Sequence, residues 1–178
     1  MRVAKQSMNL YVVTDKTWAK EISLVDQVAS TLKGGATFLQ YREKDLPAEA
    51  MVVEALRLKH LAKQYDVPFV INDDVACALQ CDADGVHVGQ GDMPAWQVRA
   101  MIGPDKILGV SASTVSEAIQ AVKDGADYIG VGTVFETSTK SDAKAVSRET
   151  LMAICQAVDV PVVAIGGIHE GNIERLYG

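Results

Sequence analysis

Several common routes to function are missing from this chain of 178 residues. No apolar run approaches the roughly 20 residues that a membrane-spanning helix needs. The opening "MRVAKQSMNLYVV" has neither the apolar core nor the cleavage site of a secretory leader, so a cytoplasmic protein is the expectation. Positive charge is not in excess: 17 Lys and Arg against 23 Asp and Glu leave a net charge of −6. That balance argues against nonspecific binding to nucleic acid or to acidic membranes. Cysteine is scarce, and the odd count of Cys77, Cys81 and Cys155 speaks against a disulfide framework. Cys77 and Cys81 lie four apart on a predicted helix and can share a face. With no second pair and no nearby histidine they do not make a zinc spacing, so buried, reduced thiols are expected. No GxGxxG follows any predicted strand, which counts against a dinucleotide-binding open sheet.

What is present is an ordinary globular balance, 48% hydrophobic and 22% charged, with length for a single domain over 1–178. Short apolar runs alternate with helical patterns. Strands are predicted at 8–14, 36–41, 67–71, 84–88, 106–111, 127–132 and 161–165. Helices are predicted near 23–33, 47–65, 73–81, 94–102, 114–124, 147–158 and 170–177. The strands read as nearly continuous apolar segments, as strands covered on both faces do. Seven βα repeats indicate a parallel sheet. "GGATFLQ", "CDADGVHV" and "DGADYIGV" lead into the second, fourth and sixth strands, while "DVPFV" and "DVPVV" lead into the third and seventh. This echo points to a (βα)8 TIM barrel whose eighth βα unit is missing from the chain, with the doubly wound open sheet as the alternative. The expectation is that the encoded protein continues past Gly178 by roughly 20–40 residues, to the usual barrel size. Left open, the first and seventh strands would expose unpaired edges, favouring homo-oligomerisation through the gap or instability.

Barrel enzymes place their chemistry at the carboxyl ends of the strands. The second strand ends in "LQYREK", where Gln40, Arg42 and Lys44 alternate and so project to one side, toward the mouth. Arginine suits a bidentate grip on phosphate and lysine supplies a point charge, although a charged loop in solvent is the competing reading. Asn72 and Asp73 follow the third strand, and Asp92 follows the fourth. Neighbouring strands lie about 4.8 Å apart, so the two aspartates could share one hard cation, and magnesium is the expectation. A helix N-cap is the bland alternative for Asp73. His87 lies on the fourth strand and reads first as a satisfied core residue. Ser111 ends the fifth strand. The sixth runs into Thr137, Ser138, Thr139 and Lys140, three hydroxyls and a cation, which suits an anion. Gly166 and Gly167 end the seventh and allow close backbone approach to a phosphate ahead of a helix N-terminus, or simply make a tight turn.

The motifs "LQYREK", "VINDD", "DADGVHVGQGD", "LGVSAST", "DYIGVGTVFETSTK" and "PVVAIGGI", in this order and spacing, closely resemble the thiamine-phosphate synthase family. The resemblance covers residues 10 to 168. It implies a transferase that joins hydroxymethylpyrimidine diphosphate to hydroxyethylthiazole phosphate and releases diphosphate. It further implies that Gln40 and Ser111 hold the pyrimidine and that Arg42, Lys44, Asn72 and Lys140 bind diphosphate. Tyr41 and Glu43, within the same motif, are counted with the substrate-binding residues. Lys140, Arg42 and Lys44 are the cations expected to act in catalysis. Asp73 and Asp92 would carry Mg2+, and Thr137, Ser138, Thr139 and Gly167 would serve the thiazole phosphate. In the family, loss of diphosphate leaves a pyrimidine-methyl cation that the thiazole nitrogen captures. The sequence departs from the usual pattern at Thr133 and Glu136, where proline is common, and at Ser113, where histidine is common. A related thiazole tautomerase branch uses a histidine at the Ser113 position. A tautomerase-like paralogue and a noncatalytic thiamine-related binding protein are the alternatives.

Overall fold

The seven apolar runs become seven strands, in a computed structural model that describes residues 3–16, 21–137 and 145–177. They are β1 (Tyr11–Val13), β2 (Phe38–Tyr41), β3 (Phe69–Asn72), β4 (Gly85–Val88), β5 (Ile107–Ala112), β6 (Tyr128–Gly132) and β7 (Val162–Ile165). Six helices alternate with them: α1 (Leu24–Lys33), α2 (Ala48–Lys63), α3 (Val75–Gln80), α4 (Ala95–Ile102), α5 (Val115–Lys123) and α6 (Arg148–Ala157). Every strand pair is parallel and the order is that of the chain, β1 to β7. The sheet curls strongly: the Tyr11 and Tyr128 hydroxyls, on β1 and β6, meet at 2.6 Å across its inside. This is a TIM-barrel fold of seven strands, with no ladder joining β7 to β1 among the described residues.

Capping fixes where helices begin. Side-chain oxygens of Ser23, Asp74, Thr114 and Ser147 accept from backbone N–H groups in the first turns of α1, α3, α5 and α6. At α5 the cap is reciprocal, a capping box between Thr114 and Glu117. The larger core lies between sheet and helices, with Leu58 and Ile154 packed against Leu39, Ile71, Leu108 and Ile129, all fully buried. Each such side chain contributes about 1.5–3 kcal/mol relative to exposure. A second cluster fills the inside of the barrel at its amino end: Met8, Phe38, Val70, Ile107 and Tyr128.

Two boundaries differ from expectation, and both lie near the chain ends. The run 8–14 is not all strand: Met8 belongs to a 3-10 turn, Lys5–Met8, and plugs the barrel floor. The stretch 170–177 is a 3-10 turn, Ile173–Leu176, with no buried residue, rather than a helix. Cys77 and Cys81 are buried as expected, whereas Cys155 on α6 is exposed.

Candidate active site

Alternation along the strands decides which side chains face inward. On β2, Phe38 and Gln40 point into the barrel, while Tyr41 points out to α2, where its hydroxyl donates to Glu54 at 2.6 Å. Arg42 is the next inward position. Its N–H donates to Thr14 Oγ1 at 2.9 Å, and Thr14 N–H donates to Gln40 O at 3.0 Å. This clasp ties the carboxyl ends of β1 and β2 and sets the root of the arginine side chain.

Arg42 opens onto a cavity of about 450 Å³ at the carboxyl ends of the strands. Its wall takes Thr14 and Asp15 from just past β1, Asp92 and Gln90 from the loop after β4, Ser111 and Ser113 from the end of β5, Thr133 and Thr137 from the segment after β6, and Gly166 from just past β7. A narrower chamber of about 100 Å³ runs deeper into the barrel and shares Arg42, Ser111 and Gly130 with it. Gln40, Tyr11 and His87 line this inner part. Of the sequence-predicted residues, the two spaces therefore gather Gln40, Arg42, Asp92, Ser111 and Thr137. Ser138, Thr139 and Lys140 lie outside the described residues.

Other predicted positions are placed differently. Tyr41 cannot face the cavity, because strand alternation buries it on the helix side of the sheet. The Glu43 carboxylate turns back to accept the N–H groups of Lys44, Asp45 and Leu46 and to pair with Lys16 at 2.5 Å. Burial alone would raise this carboxyl, but Lys16 and the loop N–H groups hold it below the usual range. Glu43 is thus a brace for the loop after β2. Lys44 stands beyond the bend, exposed and away from the cavity wall, because β2 ends at Tyr41 and the alternation lapses. Gly167 is not part of the wall either: its φ of 65° and the tight fit of its Cα against Glu136 O serve the turn, and its carbonyl accepts from Asn172 at 2.8 Å.

Asp73 is not a helix cap; Asp74 fills that place, accepting Cys77 N–H at 2.8 Å. Asp73 instead adopts a left-handed φ of 61°, donates its N–H to His87 O at 2.8 Å and accepts from Asn72 Nδ2. Its carboxylate is exposed just past β3, whose Asn72 is paired with His87 of β4. Asp92, past β4, accepts Gly89 N–H at 2.8 Å through one oxygen. The described residues contain no cluster of three or more His, Cys, Asp or Glu set to hold a metal. The donors at hand are two hard carboxylates on adjacent strand ends, which fit a cation that fills its shell with water and substrate oxygens.

Sequence reasoning missed Asp15 and Thr14. The same strand-end rule applied to "VVTD" would have found them. It also missed Tyr11, which lines the inner chamber from within a strand run read only as apolar.

Fold and site together define an α/β-barrel enzyme with its reaction centre at the carboxyl ends of the strands. The family model described as thiamine monophosphate synthase matches residues 10–178. The chain belongs to the thiamine-phosphate synthase family, and it is an enzyme of the transferase class. It is 50% identical over 173 residues to the thiamine-phosphate synthase of Ruminiclostridium cellulolyticum, covering 97% of this chain and 82% of that one. The Clostridioides difficile thiamine-phosphate synthase is 48% identical over 172 residues, again with 97% and 82% covered. Among solved structures, the thiamine phosphate pyrophosphorylase of Pyrococcus furiosus superposes with a TM-score of 0.88 at 40% identity, covering 97% of this chain and 81% of that one. Among the described residues no helix is long and apolar enough to cross a membrane.

Proposed function

We propose that this chain couples hydroxymethylpyrimidine diphosphate with hydroxyethylthiazole phosphate, giving thiamine phosphate and diphosphate, in the cytoplasm. The observation that carries the reading is the single cavity that brings Arg42, Asp92, Ser111 and Thr137 together from four different strand ends. In this reading Gln40 and Ser111 hold the pyrimidine in the inner chamber, and Arg42 and Lys140 face the diphosphate. Thr137, with Ser138 and Thr139, receives the thiazole phosphate. The carbon–oxygen bond to diphosphate breaks with its electron pair leaving on diphosphate, and the thiazole nitrogen lone pair then forms the carbon–nitrogen bond. No side-chain nucleophile or base is needed. Cations placed around the leaving group favour the negative charge that develops on it. Asp73 and Asp92 would hold Mg2+, which supplies neutralisation of the diphosphate charge when bound.

A tautomerase reading is disfavoured by the cavity wall itself: the position expected to carry histidine is Ser113, whose N–H is spent on Glu117 at 2.6 Å. Steady-state kinetics with each substrate varied separately test the division of labour. Arg42→Ala loses a charge-assisted contact, worth about 1.5–3 kcal/mol, and should weaken use of the diphosphate substrate about 10- to 150-fold. Thr137→Ala loses a neutral hydrogen bond, about 1 kcal/mol, and should act mainly on the thiazole phosphate. Equal effects of each substitution on both substrates would reject the assignment.

A further inference from the structure

A continuous chain of hydrogen bonds crosses the barrel interior from β2 to β5. Gln40 Nε2 donates to the Tyr11 hydroxyl at 2.7 Å, and Tyr11 and Tyr128 meet at 2.6 Å. The Tyr128 hydroxyl lies 2.8 Å from His87 Nδ1, and His87 Nε2 lies 2.9 Å from Ser111 Oγ. Counting protons gives the chain a direction. Tyr11 accepts from Gln40, and among the described contacts the arrangement that leaves neither phenol proton without an acceptor sends the Tyr11 proton to Tyr128. Tyr128 then spends its own proton on His87 Nδ1, which must be an acceptor. A neutral imidazole accepting at Nδ1 carries its hydrogen on Nε2 and donates it to Ser111 Oγ. Ser111, having accepted, keeps its own proton for the cavity whose wall it forms.

Two further observations support the direction. Burial pushes both tyrosine hydroxyls well above their ordinary range, so neither gives up its proton. The space is also specific to these groups: a Cβ on Gly109 would lie 2.2 Å from the Tyr128 hydroxyl and 2.5 Å from His87 Nδ1. A Cβ on Gly130 would lie 3.0 Å from His87 Cε1. Small residues on β5 and β6 thus leave room for a phenol and an imidazole that bulkier side chains would exclude.

We propose that His87 is a positioning residue, held by Tyr128 as the neutral Nε2–H tautomer so that Ser111 offers its hydroxyl proton to an acceptor on the bound heteroaromatic substrate. His87 itself does not transfer a proton in the reaction. The identity of that substrate, the pyrimidine diphosphate, rests on the function proposed above; the tautomer does not.

The test combines a spectroscopic and a kinetic arm on the full chain. With 15N-labelled histidine at about neutral pH, His87 should show the Nε2–H pattern without any substrate. Tyr128→Phe should introduce a substantial Nδ1–H population. In kinetics, His87→Ala should raise KM for the pyrimidine diphosphate tenfold or more while KM for the thiazole phosphate changes less than twofold. His87→Gln, which keeps a donor toward Ser111, should recover most of that loss. Should His87→Ala fail to fold, Tyr128→Phe carries the kinetic arm, with a smaller rise in the same KM. An Nδ1–H or imidazolium His87 in the unsubstituted chain would overturn the proposal. So would a folded His87→Ala or Tyr128→Phe chain with both KM values unchanged. An unsubstituted chain that makes no product overturns the functional reading instead, and the tautomer signal still decides the present inference.

Discussion

Single positions in the barrel interior carry more of this molecule's chemistry than their residue types suggest. Gly109 illustrates this, since the atoms a methyl group would meet are the polar tips of Tyr128 and His87, not flexible apolar ends. Gly109→Ala should therefore displace both groups and destabilise the fold by about 1–3 kcal/mol, the usual range for overpacking. Urea unfolding measures this directly, and a variant as stable as the parent would mean that the interior is looser than the geometry indicates. Residues of this kind were not legible in the sequence. "LGVSAST" showed Ser111 as a strand-end hydroxyl, but nothing local marks a glycine whose neighbour, Tyr128, comes from the next strand. Arg42 and Asp92 were legible, because strand alternation and loop position alone put them at the mouth. Tyr41 and Glu43 were not separable from Arg42 by motif; alternation turned one toward α2, and a charge partner in the β1 loop turned the other back.

The elements themselves were largely written in the apolar periodicity, and the misses have physical causes. Over Ile173–Leu176 no residue is buried to reward a helix, so only a 3-10 turn forms. Met8 left the strand pattern because the open barrel floor offered it a better burial site. The loops that join elements are held by charge. Lys16, after β1, lies 2.5 Å from Glu43 and 2.9 Å from Glu54, tying that loop to β2 and α2. The Glu43 carboxyl is depressed, so its contribution is complete above the unfolded value of about 4.3 and is lost as pH falls through the lower folded value. Lys16 is raised overall: burial lowers it, but the Glu43 and Glu54 contacts outweigh that, so its contribution holds below about 10.4 and fades as pH climbs past the folded value. Lys16→Met should accordingly cost about 0.2–1 kcal/mol near neutrality, Lys16 being partly exposed, and that cost should shrink toward about pH 3. Unfolding curves at both pH values check it; a cost unchanged by acid would show that packing, not charge, holds the loop.

At the scale of the whole molecule, the chain is a curled parallel sheet whose middle is better sheltered than its edges. β2 and β4 are buried throughout, whereas β1 is only partly buried and Ile165 on β7 is half exposed. The sequence showed this architecture because parallel strands covered on both sides leave an unmistakable run of apolar residues. It could not show that two adjoining spaces at one end of the barrel share lining residues, since that depends on the ends of six strands converging. The central claim is that this cavity unites a pyrimidine diphosphate and a thiazole phosphate through magnesium-assisted loss of diphosphate. The most direct measurement is the rate of thiamine phosphate formation when both substrates and Mg2+ are supplied, for the chain and for Asp92→Ala. The account predicts thiamine phosphate and diphosphate in equal amounts, product formation lost on chelation, and a rate at least a hundredfold lower in Asp92→Ala. A folded chain that forms no thiamine phosphate, or an Asp92→Ala variant working at the full rate in limiting Mg2+, would contradict it.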